Sequence, residues 1–293
     1  MNAQIAAILT MDGVATGAIY VLIALGFVLI FAVTRIIFVP FGDITAFTAL
    51  TLADLEAKRL PGTASMVAFL AVVAALMECV ALARSGQTAR IPRALLYYLV
   101  LPLVPAAIVW ASSGTLLPAA LRIPLTILLI LPLAPLLDRI VFRPIADASV
   151  LLLLIVSVAL HFALVGMGLL FFGPEGVRTQ SLIDFSTDIA GTPVSGETLL
   201  IVGSAAVFSF LLFLFFNYTL TGKALHATAM NRTGARLMGI RPRQSGTIAF
   251  LLGSLLAAVS GVLIVPDCCG RMPMSRAPVR FIAVACSALP VSV

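Results

Sequence analysis

Stretches of roughly 20 apolar residues recur along this chain, at 14–33, 36–53, 63–83, 94–111, 116–137, 148–172, 198–220 and 245–265. Each is about the length a helix needs to cross the hydrocarbon of a bilayer. The runs are continuous and rich in Leu, Ala and Val. Strands of a membrane barrel would instead alternate apolar and polar residues. Backbone N–H and C=O groups must be paired inside lipid, so continuous runs imply helices. Composition agrees: 61% of residues are hydrophobic and only 10% charged, where a soluble domain carries about a quarter charged. The expected fold is all-α, a polytopic transmembrane helical bundle of about eight spans. The 36–53 run is interrupted by Pro40, Gly42 and Asp43. It is expected to be a broken or re-entrant segment lining a cavity, where irregular backbone is tolerated.

Loop charges set the topology. The basic loop after residue 220 carries Lys223, Arg232, Arg236, Arg241 and Arg243 with no acid. The loop before the preceding span carries Glu175, Asp184, Asp188 and Glu197 against Arg178. One span separates them, which puts the basic loop in the cytoplasm and the acidic loop outside. Counting back, Arg139 and Arg143, then Arg84, Arg90 and Arg93, then Arg35 fall on the same inner side. The N-terminus is expected outside. The first cation is Arg35, so the basic region that opens a signal peptide is lacking and the first run is expected to stay as a helix. Tyr97 and Tyr98 near an inner boundary, Trp110 near an outer one, and Phe215, Phe216 and Tyr218 near an inner one fit interfacial belts. Gly13 and Gly17, and Gly253, Ala257 and Gly261, give small faces spaced for close helix packing.

Chemistry-bearing residues are sparse. Gly222-Lys223 lacks the earlier glycine of a phosphate-binding loop, and no zinc-protease or serine-nucleophile motif stands out. Cys79, Cys268, Cys269 and Cys286 have no paired spacing and no nearby His, so neither a metal site nor a disulfide framework is expected. Cations confined to loops argue against nucleic acid as a partner. Asp43 at the interruption reads as a helix cap or as a group facing a polar pathway. His161, mid-span, reads as a neutral imidazole bonded to a neighbouring helix or as a pathway residue. Gly42, Asp43 and His161 are the candidate pathway positions. Glu78 lies close enough to the inner end of its span to reach the interface.

The loop at 221–243 carries the most information. Its sequence is helix-prone, with Thr221 as a candidate N-cap and Gly239 plus Pro242 as a stop signal. It is too polar for the bilayer, yet Leu225, Leu237, Met238 and Ile240 are too apolar for a plain solvated loop. Such a segment invites a protein partner, and its cations would equally favour anionic lipid.

At this loop the sequence meets a known family. Gly222-Lys223-Ala224-Leu225 followed by Ala235-Arg236-Leu237-Met238-Gly239-Ile240 resembles the cytoplasmic coupling loop of branched-chain amino acid ABC transporter permeases. Gly17-Ala18-Ile19-Tyr20 through Gly26 to Val33-Thr34-Arg35 resembles the family's first helix. Phe41-Gly42-Asp43 resembles the polar break that follows, and residues 138–144 resemble an inner loop. The resemblance implies a multi-pass protein of the bacterial inner membrane that forms half of a pore. Its implied partners are a second homologous permease, two ABC ATPase subunits that bind the ATP, and a periplasmic substrate-binding protein. No cofactor is implied in this chain, and the cargo would be leucine, isoleucine, valine or a related small amide. Leu225, Leu237, Met238 and Ile240 would then supply apolar contacts to the ATPase. Gly222 and Gly239 would shape the turns, with Ala224 between them, and Lys223 and Arg236 would orient the loop or pair with acids.

Some positions depart from the pattern. His226 stands where Arg is expected and Thr233-Gly234 where Glu-Ala is more common, so Gly234 is expected to weaken the helix. The stretch from Arg84 to Leu137 is longer than in shorter members. The family pattern is followed to Pro266, giving a permease domain at 1–266 and a divergent tail at 267–293 that reads like a shifted frame. The alternatives are an ion-coupled secondary transporter working through Asp43, Glu78 or His161, and a truncated, non-functional permease. A membrane-embedded enzyme lacks paired catalytic residues.

Overall fold

The structure, a computed structural model, describes residues 3–57, 59–84, 96–112, 119–146, 148–173, 186–189 and 192–270. Helix α1 is Ala3–Thr34, α2 Phe41–Glu56 and α3 Gly62–Arg84. A π-helical turn at Leu96–Val100 leads into α4, Leu101–Ser112. Then come α5, Ala119–Ile130, and α6, Leu133–Leu137, continued by a π turn at Asp138–Phe142 and a 3-10 turn at Arg143–Ile145. Helix α7 is Val150–Phe172 and α8 Gly196–Tyr218. Two short helices, α9 at Leu220–Met230 and α10 at Arg232–Leu237, precede α11 at Pro242–Gly270.

Among the described residues six stretches are long and apolar enough to cross a membrane: Leu9–Thr34, Gly62–Arg84, Leu121–Ile145, Val150–Phe172, Thr198–Tyr218 and Pro242–Ile264. The shorter apolar helix Tyr98–Ala111 and the 16-residue α2 make up the rest of the expected set. The fold is therefore a polytopic helical bundle. One small exception to its all-helical character lies in the acidic loop. There β1, Ser186–Ile189, pairs antiparallel with β2, Thr192–Ser195, with Ile189 opposite Thr192 and Thr187 opposite Val194.

Helix directions follow from which residues meet. Along α1 and α11, Gly26 faces Leu256, Gly253 faces Ile30, and Gly246 faces Thr34. The two run antiparallel, so the end of α1 and the start of α11 share the basic side. Val39 meets Ser157, Asp43 meets His161 and Phe47 stacks on Phe172. The second segment and α7 thus run parallel. Both directions match the alternation that the loop charges require.

The second segment is not helical throughout. Residues 35–40 are non-helical, and α2 begins only at Phe41. Proline 40 lacks an N–H and disfavours helix in the residue before it. The break therefore lies just before Gly42 and Asp43, which fall in the first turn of α2. Backbone freed by the break needs partners inside the bilayer. Val39 N–H donates to Ser157 Oγ of α7 at 2.9 Å, and Ile36 N–H donates to Thr34 Oγ1 at 3.2 Å. A second interruption, at Leu131-Pro132 between α5 and α6, is served in the same way. Ser254 Oγ of α11 donates to the Leu131 carbonyl at 2.8 Å.

The core gathers where these breaks meet α11. Phe38, Phe142 and Phe250 are fully buried and pack edge-on or stacked, with centroids 5.2 to 6.1 Å apart. Helix α11 is the most enclosed of the long spans, whereas α7 and α8 leave most of their surface outward. That outward surface carries Leu151, Phe162, Leu170 and Phe210, as lipid or a membrane partner requires.

Candidate functional site

The expected small face of α11 lies against two helices. A Cβ on Gly253 would stand 2.4 Å from Ile30 Cδ1, and one on Gly261 would stand 2.5 Å from the Thr45 carbonyl oxygen. Ala257 between them is fully buried. The other small pair behaves differently. Gly13 and Gly17 have nothing within 4 Å of an added Cβ. Among the described residues, the close packing expected of them within this chain is not made.

The basic loop folds as two helices rather than one. Thr219, not Thr221, caps the first: its Oγ1 accepts from Gly222 N–H at 3.0 Å and donates to the Phe215 carbonyl at 2.6 Å. Asn231 ends α9 with an extended backbone and caps α10, its Oδ1 accepting from Gly234 N–H at 3.0 Å. The break falls here because an Asn side chain competes well for backbone donors at a helix start. Gly234 is thereby held by the cap. Gly239, at φ +81°, closes α10 in the left-handed conformation that glycine tolerates.

The loop's apolar residues divide between two surfaces. Leu225 is buried against Val33 and Ala249. It anchors α9 to α1 and α11 and is not available to a partner, contrary to the surface contact expected of it. Gly222 is buried where an added Cβ would fall 2.2 Å from the Phe215 carbonyl oxygen, and Ala224 is half-buried. Ile240 is half-buried, while Lys223, Arg236 and Gly239 are exposed. Leu237 and Met238 are 84% and 83% exposed at the end of α10. Two large apolar side chains standing in the open on a capped, anchored helix form a surface patch rather than a core.

Within the bundle, Asp43 and His161 meet. Asp43 Oδ2 lies 2.7 Å from His161 Nδ1, and the carboxylate is buried. No side chain caps α2, so the capping expected of Asp43 is replaced by this pair. Gly42 lies beside it, half-buried. Beyond Asp43 a row of buried threonines climbs α2. Thr45, Thr48 and Thr51 each donate to the carbonyl four residues earlier, and Thr51 also meets Thr63 of α3. The hydroxyls are thus largely satisfied by their own helix.

On the basic face Glu78 pairs with Arg139, which also stands over the Tyr98 ring. Arg143 was visible in the sequence only as a loop cation. It reaches Asp138 at 3.3 Å, Thr247 at 2.6 Å and Tyr98 at 3.3 Å, joining three elements. Among the described residues no cluster of His, Cys, Asp or Glu could hold a metal ion.

These features define a polytopic membrane protein with a folded helical tip on one face and a paired carboxylate and imidazole in its interior. Comparison with known proteins narrows the class. The family model "Branched-chain amino acid transport system / permease component" matches residues 9–289, and the chain belongs to that family. The match runs beyond Pro266, where the sequence boundary was drawn; residues 271–293 lie outside the described residues. The chain is also 32% identical over 114 residues to "Probable ABC transporter permease protein YphD" of Escherichia coli (strain K12). That alignment covers 38% of this chain and about a third (32%) of the relative's length. No solved structure matches.

Proposed function

We propose that this chain is a permease subunit of an ABC importer for branched-chain or related small amino acids, driven by separate cytoplasmic ATPases. The observation that carries the reading is the tip at α10. Leu237 and Met238 are presented outward by a helix that Asn231 caps, Arg232 ties to the Val33 carbonyl at 2.8 Å, and Leu225 roots in the bundle. A rigid mount under an exposed apolar pair suits a joint that transmits motion between two proteins. Lys223 would pair with acids on the ATPase, and Arg236 would orient the loop. The chain would sit in a bacterial inner membrane beside a second homologous permease, two ATPases, and a periplasmic protein that delivers the substrate.

One observation favours a second reading, an ion-coupled transporter. The pair of buried Asp43 and half-buried His161 is the kind of intramembrane ionisable couple that proton-driven carriers use. Reconstitution separates the two. Proteoliposomes holding the complete assembly should take up leucine with ATP on the ATPase side and no ion gradient. Uptake by this chain and its partner permease alone, collapsing when the proton gradient is dissipated, would support the second reading and sink the first.

A further inference from the structure

A cavity of about 720 Å³ opens on the basic face, between the end of α1, the turns after α6, and the chain from α10 into α11. Its wall holds Arg143, Arg232, Arg236, Arg241 and Arg243 against a single acid, Asp138, which already faces Arg143. Among the described residues no carboxylate forms an ion pair with the other four. Arg232 spends one Nη on the Val33 carbonyl, while its Nε is buried without a partner. Burial, then the charges of Arg35 and Arg236, hold the Arg232 guanidinium below its ordinary range. Arg35 itself sits at φ +62°, a conformation an arginine rarely adopts. The first turn of the 29-residue α11 adds to the wall through Pro242, Arg243 and Gln244, and a helix N-terminus carries partial positive charge.

So much unpaired positive charge around one recess calls for an anion. Guanidinium forks match the oxygens of a phosphate. The volume is far larger than a phosphate ion needs and suits a ligand the size of a headgroup with its glycerol. The floor is apolar, through Val33, Ile36 and Phe142 of the buried core. Cations around an apolar floor suit a headgroup phosphate together with the glycerol carbons attached to it. Basic pockets between span ends are where such headgroups bind.

We propose that this cavity binds the phosphate of an anionic phospholipid drawn from the leaflet on the basic face. The inference is independent of which energy source drives transport. The first test needs no variant. The detergent-purified full chain is titrated with dioleoyl-phosphatidylglycerol or dioleoyl-phosphatidylcholine, and bound lipid is read by native mass spectrometry. Phosphatidylglycerol should be retained in preference, and inorganic phosphate at equal concentration should not displace it. The R232Q/R236Q variant should weaken phosphatidylglycerol binding about tenfold. R232K/R236K should recover part of the loss, and K223Q, an exposed cation outside the cavity, should change little. Equal retention of both lipids would overturn the proposal. Displacement by inorganic phosphate would overturn the lipid source in favour of a free anion. An R232Q/R236Q chain that keeps its lipid but no longer retains the ATPases would overturn it in favour of an acidic protein surface.

Discussion

At the scale of single residues, the close approaches of helices decide which glycines matter. Gly222 and Gly261 face backbone carbonyl oxygens that cannot step aside, at 2.2 and 2.5 Å from an added Cβ, whereas Gly13 and Gly17 face open space. Gly222→Ala and Gly261→Ala should each destabilise the protein by about 1–3 kcal/mol through overpacking. Gly13→Ala and Gly17→Ala should leave the melting temperature of the detergent-purified chain nearly unchanged. A stability loss in the second pair equal to that in the first would contradict the packing described. The sequence shows the spaced glycines Gly13, Gly17, Gly253 and Gly261 as equivalent, because spacing reveals a small face but not what lies opposite it. The same limit applies to Asp43 and His161. Each is legible alone as an unusual intramembrane group, yet 118 residues separate them, and only the fold pairs them at 2.7 Å. A double-mutant cycle of Asp43→Asn and His161→Leu should show a coupling of about 1 kcal/mol, the scale of polar contacts between membrane helices. Strict additivity would mean that the pair contributes nothing.

At the scale of elements, the broken segments were only half legible. Pro40, with Gly42 and Asp43, announces that regular backbone fails near it, so an irregular second segment is foreseeable, whereas the 116–137 run reads as continuing through Pro132. What rescues the freed groups is not foreseeable, because Ser157 and Ser254 lie on other helices and read as ordinary small residues in apolar runs. Ser157→Ala strands the Val39 N–H and Ser254→Ala strands the Leu131 carbonyl. Each should lower stability by about 1 kcal/mol or more, the cost of a buried unsatisfied group. The check is thermal denaturation monitored by size-exclusion chromatography, with Ser204→Ala as control, since among the described residues Ser204 bonds within α8. An unchanged melting temperature for Ser157→Ala would show that the break finds another donor or acceptor. The tip at α9 and α10 teaches the converse. Its helical character and its glycine stop were visible in composition, but its division at Asn231 was not, because the run on either side is equally helix-prone. The capping signal of Asn231 was present in the sequence and outweighed by that propensity.

At the scale of the whole molecule, charge and contact agree. The loop charges alone place the ends of α1 and α3, the turns after α6, and the α9–α10 tip on one basic face. The packing of α1 against α11 and of α2 along α7 runs in the directions this requires. The bilayer constrains so much of the chain that the fold class was legible from apolar run length, while the partners were legible only through resemblance. The chain belongs to a transport permease family, and in the function proposed above the exposed tip is where an ATPase would be engaged. Because Leu237 and Met238 touch little of this chain, changing them tests the joint without disturbing the bundle. The decisive measurement is a pull-down from solubilised membranes of the native chain and the L237D/M238D variant, each co-expressed with the ATPases encoded beside it and matched for amount and melting temperature. The native chain should retain the ATPases and the variant should lose at least about tenfold of them, as when apolar anchors at the centre of an interface are replaced. Equal retention by both chains, or none by a correctly inserted native chain, would contradict the proposed function.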